Sequence, residues 1–368
     1  MSKRAVNCFL LLFVGNALFY SASFALDPNK RITQYDIRIY KAKDGLPMNS
    51  LKKIFQDSKG YIWLGTQEGL VRFDGVQFKL YDKSKYPGLK SNFIWDIAED
   101  KEGNLWLATN GGGISRFNGQ SFASYDTSNG LSHNVTRKLL IDSQNTIWIG
   151  TETGVCCLRQ GFIKSLRNDN LPGKFSVQAI FESSDGSIYF GGAGGYWAIH
   201  QKDTLIAQLL SFDPAAIFQT RAGELLVAGS FAQIFHFKDG TFKKLSYDSK
   251  TTALRSDHHV RSIIEDRDGG IWFCTEGLGI LRYYKGHFDT LSVKTKLKFD
   301  NNFFLSGMED KEGNLWFGGE CGLIQIKYVY ASLSRLIFMK NEQIKQKKPR
   351  PSGAFLFLYP YNSSFPLS

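Results

Sequence analysis

Residues 103–119 read GNLWLATNGGGISRFNG, and close variants of this stretch recur along the chain. Residues 60–75 read GYIWLGTQEGLVRFDG, 145–161 NTIWIGTETGVCCLRQG, 269–286 GGIWFCTEGLGILRYYKG and 313–327 GNLWFGGECGLIQIK. Two weaker copies lie between them, GSIYFGGAGGYWAI at 186–199 and GELLVAGSFAQIFHFKDG at 223–240. The anchor position of the seven copies holds Trp63, Trp106, Trp148, Tyr189, Leu226, Trp272 and Trp316, spaced 43, 42, 41, 37, 46 and 44 residues apart. A near-constant period of about 40–50 residues with strand-like content marks a β-propeller, one four-stranded blade per repeat.

The copy around residue 106 shows how a repeat becomes a blade. An apolar-rich strand, 93–98, runs into Asp100-Lys101-Glu102-Gly103, which has the Asp and Gly of a type I turn. The same turn returns as Asp57…Gly60, Asp266…Gly269 and Asp310…Gly313, and Asp142 is followed by Asn145 in place of Gly. Leu105-Trp106-Leu107 reads as a strand buried on both faces. Gly-rich residues 110–113 lead to a third strand at 114–117, and Asn118-Gly119 turns the chain into a fourth at 122–125. One large flat side chain per blade suits face-to-face packing, so the seven anchors are expected in the core. Tyr35–Tyr40 resembles an outer strand without its own blade, and the seventh repeat stops near Ile326 before an outer strand appears. The N-terminal strand is therefore expected to complete the last blade and close the ring. The fold class is all-β: a seven-bladed propeller over 31–327.

The chain has 368 residues, 43% of them hydrophobic, enough for a large core and too apolar for disorder. Its formal charge of +11 is concentrated at the ends. Residues 1–30 carry +2 and 327–368 carry +6, leaving the repeat region at +3, which argues against nucleic acid as a partner. Lys3 and Arg4, the apolar run from Phe9 to Phe19 and the small residues up to Ala25 read as a signal peptide over 1–25. That implies export to the periplasm, with membrane association only if the segment stays uncleaved. Residues 328–368 form an irregular basic and aromatic tail of unassigned role. Cys156, Cys157, Cys274 and Cys321 contain no Cys-x-x-Cys spacing and read as buried thiols.

The pattern D-x-x-G-x-(I/L)-W-(I/L)-G-T-x-x-G-(L/I)-x-R-(F/Y)-x-G resembles the two-component regulator propeller repeat. Gly45-Leu46-Pro47 and Gly130-Leu131-Ser132, ahead of the next blade, add to the likeness, which covers roughly 35–326. The resemblance implies the exported sensor region of a Bacteroidetes-type hybrid two-component histidine kinase. It implies a role in sensing oligosaccharides released by glycan breakdown, and a possible homodimer. The six histidines, His133, His200, His236, His258, His259 and His287, all fall in the repeats, and no kinase motif accompanies them. The chain is accordingly expected to be a truncated sensor without its kinase half, and not an enzyme.

Candidate ligand residues follow from the repeat register. Eight positions before each turn residue, at the entry to the inner strand, stand Asn49, Asn92, Asn134, His258 and Asn302, with Phe175 and Phe212 in the weaker copies. Four positions after each anchor stand Gln67, Asn110, Glu152, Glu276 and Glu320, with Ala193 and Ser230 in the weaker copies. Amides and carboxylates hydrogen-bond sugar hydroxyls, and aromatic faces stack on pyranose rings, so these positions form the expected oligosaccharide site. The alternative is that an Asn at a strand entry bonds its own backbone. The Glu positions could also gather a cation, although their spacing shows no metal site. No cofactor and no catalytic residue is expected. Trp272-Phe273-Cys274-Thr275-Glu276 also resembles the streptogramin-lyase propellers, so an enzyme, or a protein-binding scaffold, are the competing functions.

Overall fold

The computed structural model describes residues 35–166, 175–201, 204–245, 258–292 and 301–327. The expected signal peptide and C-terminal tail lie outside the described residues. Among the described residues the chain forms seven four-stranded antiparallel sheets, the blades of a β-propeller. After β1 (Asp36–Tyr40), the blades comprise β2–β5 (51–81), β6–β9 (94–125), β10–β13 (136–165), β14–β17 (177–209), β18–β21 (214–244) and β22–β25 (259–291). The last blade holds β26 (Phe304–Glu309), β27 (Leu315–Gly319) and β28 (Gly322–Lys327). β1 pairs antiparallel with β28, from Asp36 opposite Lys327 to Tyr40 opposite Leu323. The first strand therefore supplies the fourth strand of the seventh blade and removes its open edge.

The conserved spacing between the turn residue and the anchor has a direct physical cause. The Trp106 indole N–H donates to Asp100 Oδ2 at 2.8 Å. The same bond joins Trp63 to Asp57, Trp148 to Asp142, Trp272 to Asp266 and Trp316 to Asp310, each at 2.7–2.8 Å. The other oxygen of Asp100 accepts the backbone N–H of Glu102 and Asn104, so one carboxylate fixes the turn and the ring together. Where Ser183 and Thr220 replace the Asp, Tyr189 and Leu226 replace the Trp. The Asp and the indole donor are lost as a pair.

The anchors pack between blades. Trp63 meets Leu105, Leu107 and Phe117 of the second blade, Trp106 meets Ile147 and Ile149 of the third, and Trp316 meets Ile62, Leu64 and Phe73 of the first. A Trp hides ~150–250 Å², which at ~25 cal/mol per Å² is an upper bound of about 4–6 kcal/mol each.

A second belt joins the blades at their turns. Ser58 N–H and Oγ donate to Glu99 of the next blade, and Ser143 does the same to Glu182. Ser184 N–H reaches Gln219, Arg221 N–H reaches Glu265, and Arg267 pairs with Glu309 at 2.8 Å. Lys101 binds the Ser143 carbonyl, and Lys311 bonds Gln56, Asp57 and Ser58 across the closing seam. Every blade boundary thus carries one clasp made by the residue that follows the turn position.

Candidate functional site

Each inner strand contains a β-bulge near its start. Pairing steps from Leu51 to Lys53 in β2, and identically in the other six blades, so that one residue per blade is skipped. The skipped residues are Lys52, Trp95, Arg137, Gln178, Ala215, Arg261 and Leu305. A bulge residue is freed from the pleat and re-aimed. All seven line one cavity of about 310 Å³, where the seven inner strands meet. That volume is at the lower end of the ~300–1,000 Å³ typical of small-molecule sites.

Carboxylates from the ends of the second strands neutralise most of the cations there. Lys52 Nζ meets Glu320 Oε1 at 2.8 Å, and Ser50 Oγ donates to the same oxygen at 2.9 Å. Burial pushes the Glu320 carboxyl up, but these two bonds outweigh it and hold its pKa below the usual range. Arg261 pairs with Glu276 at 2.8 Å and donates to Gln178 Oε1 at 3.3 Å, and Arg137 is bound to Glu152. The buried Asp96, next to Trp95 in its inner strand, accepts from Lys53 Nζ at 2.8 Å and from Leu139 N–H at 3.2 Å. Burial acts to raise its pKa, yet Lys53 and Lys138 together hold it below the ordinary value. The Lys138 ammonium, also on the cavity wall, makes no hydrogen bond to any described residue.

Two aromatic residues face this space. The Trp95 ring is stacked on Phe93 with centroids 4.5 Å apart, and the Arg137 guanidinium lies 4.3 Å from its centre. Phe303 is different. It is 45% exposed and sits between two of the carboxylates, bridging Glu276 through the backbone and accepting the Glu320 N–H.

Of the twelve candidate positions, Glu276 and Glu320 line the cavity, and Glu152 reaches its edge through Arg137. The asparagines do other work. Asn92 Oδ1 accepts Lys83 N–H and Asn134 Oδ1 accepts Thr127 N–H, each at 2.8 Å, so both staple the loop that enters the inner strand. The Asn49 and Asn302 carbonyls accept from Gly322, and from Gly277 and Gly279. The His258 ring lies against Gly277. Phe175 stacks on Tyr196 and Phe212 on Phe235, inside the blades. Gln67 and Asn110 are exposed, Ala193 is half-buried and Ser230 is buried. The anchors Trp63, Trp106, Trp148, Leu226, Trp272 and Trp316 are buried, and Tyr189 is half-buried. Among the described residues no three His, Cys, Asp or Glu side chains converge as a metal site.

Strand alternation alone misses the bulge residues, because a bulge breaks the period of two. Their signal is a fixed offset, five positions before the turn residue, which collects Lys52, Trp95, Arg137, Arg261 and Leu305 in the well-formed repeats.

The two component regulator propeller model matches residues 45–68, 88–111, 130–153 and 254–277. Four of the seven repeats thus match the two-component regulator propeller model. Its fold is similar to that of the extracellular domain of BT3049 from B. thetaiotaomicron, described as a hybrid two-component system. The two share 23% identity and a TM-score of 0.70 over 80% of this chain and 42% of that one. The corresponding domain of BT4673 from the same organism shares 18% identity, with a TM-score of 0.64 over 81% and 40%. This chain thus spans about two fifths of those extracellular domains. Virginiamycin B lyase from Staphylococcus aureus has the same fold at 13% identity, with a TM-score of 0.63 over 81% of this chain and 99% of the lyase. No curated protein matches the chain.

Proposed function

We propose that this chain is the ligand-sensing propeller of an exported, periplasmic two-component system, and that it binds short oligosaccharides in the axial cavity. The observation that carries the reading is the cavity itself. An exposed aromatic residue, Phe303, lines it together with Glu276, Glu320, Gln178 and Ser176, the mixture of apolar surface and hydrogen-bonding groups that a sugar ring requires. The repeats and the likeness to extracellular domains of two-component systems support the sensory role. Binding would be read out by a kinase elsewhere in the signalling system.

The lyase fold offers a second reading, in which the cavity performs an elimination. Such a reaction needs a general base free to take a proton. Glu276 and Glu320 are each held by a cation, which favours binding over turnover.

Thermal unfolding against a panel of plant, host and microbial oligosaccharides tests the reading. A sugar that binds only the folded ring adds about 2.7 kcal/mol at a hundredfold excess over Kd. A shift with one sugar class and no product formed supports the sensor. Turnover would support the lyase, and the absence of any shift would remove the sugar.

A further inference from the structure

The cations that line the cavity are not equivalent. Lys52, Arg137 and Arg261 each hold a glutamate, and Lys53, next to Lys52 in the same inner strand, holds Asp96. Lys138 is the fifth cation of this group and has no carboxylate of its own. Asp96, the carboxylate acting on it, already accepts from Lys53, Ile97 N–H and Leu139 N–H. Four of these five basic side chains are thus matched by four carboxylates, and the one left over, Lys138, lines the cavity and bonds to no described residue.

We infer that the axial site takes an acidic oligosaccharide, one bearing a carboxylate or a sulfate group, and that Lys138 receives the acid. This inference rests on the reading of the cavity as an oligosaccharide site. Burial lowers the Lys138 pKa first, and the like charges of Lys53 and Arg261 lower it further against the pull of Asp96. A ligand anion placed at the ammonium offsets each of these effects, because it adds an opposite charge and a hydrogen bond in a site of reduced dielectric. A neutral sugar leaves the ammonium as it is. Phe303 at the mouth then stacks the sugar ring while its acid group points inward to Lys138.

Titration calorimetry on the full chain, at neutral pH and low salt, tests this with matched pairs. The probes are di- and trisaccharides of galacturonate and glucuronate, each beside its methyl ester, and sulfated disaccharides beside their desulfated forms. The acid member of a pair is expected to bind about 10- to 100-fold tighter than its neutral counterpart, the range for one hydrogen bond to a charged group. Which pair shows the gap separates a carboxylate ligand from a sulfated one. Lys138→Met is expected to close the gap by weakening the acid member alone, whereas Lys138→Arg keeps it. The comparison of pairs on the unaltered chain stands even if a variant folds poorly. Equal affinity for acid and neutral members overturns the acidic ligand and leaves the oligosaccharide reading intact. Binding of none of these sugars, acid or neutral, by a chain that melts cooperatively overturns both.

Discussion

Asp100 and Trp106 show how much one hydrogen bond can organise. The carboxylate holds its turn through two backbone N–H groups and holds the ring through the indole. Trp106→Phe keeps an aromatic ring and removes the donor. Asp100 Oδ2 then keeps only its Asn104 Nδ2 donor, and the expected loss is about 1–3 kcal/mol, the worth of one hydrogen bond to a charged group, measured by urea unfolding. Acid should weaken the same chemistry. Burial acts to raise the Asp100 and Asp96 pKa values, but for Asp100 the Trp106 and Asn104 bonds, and for Asp96 the Lys53 and Lys138 charges, leave both below the ordinary value. The unfolded chain, with Asp near ~3.9, then binds more protons than the native one in that range. Their contribution is present above about pH 4 and is lost as pH falls through the native values. Urea midpoints should therefore drop between pH 5 and pH 3, and Asp96→Asn should flatten that drop. An unchanged slope in Asp96→Asn would remove Asp96 from the account. The Asp and Trp positions were both legible in the repeat. Their bond was not, because a type I turn already accounts for an Asp by backbone geometry alone. The paired loss at Ser183 with Tyr189, and Thr220 with Leu226, is the trace it leaves in sequence.

At the scale of the element, strand count, order and turns could be read from periodicity, since each Asp-x-x-Gly and each Gly-rich loop marks a reversal. The bulge could not, because it depends on pairing with a neighbour rather than on the strand's own pattern. The consequence fell on the candidate site. Counting to the strand entry found Asn92 and Asn134, which bond loop backbone, and stopped three residues short of Trp95 and Arg137. Close approach between blades is a second element-scale feature. An added Cβ on Gly191 in β15 (Ile188–Gly192) would lie 2.5 Å from the Pro214 carbonyl of the next blade's inner strand. A backbone atom cannot swing aside, so Gly191→Ala should cost about 1–3 kcal/mol by thermal or urea unfolding. A neutral effect would mean that the blades separate more readily than their packing implies.

For the whole molecule, closure is the decisive event. Tyr40 stacks near Trp316 and meets Phe73 of the first blade, so β1 joins the two ends of the ring by packing as well as by pairing. Removing residues 1–40 bares the β28 edge and should produce a chain that melts over a broad range and associates, visible by calorimetry and light scattering. Closure was legible because one unpaired outer strand precedes seven repeats and one blade lacks its own. The location of the ligand was less so, since the axis is built from one residue of each blade and no single repeat displays it. The central claim is that the axial cavity, rather than the exposed positions that follow the anchors, such as Gln67 and Asn110, binds the ligand. The measurement that tests it most directly is the ligand-induced melting shift in Phe303→Ala and Arg261→Ala beside Gln67→Ala, with whichever oligosaccharide stabilises the unaltered chain. The account predicts that the first two lose the shift and that Gln67→Ala keeps it. A shift lost in Gln67→Ala and retained in the other two would place the ligand on the outer face and contradict the account.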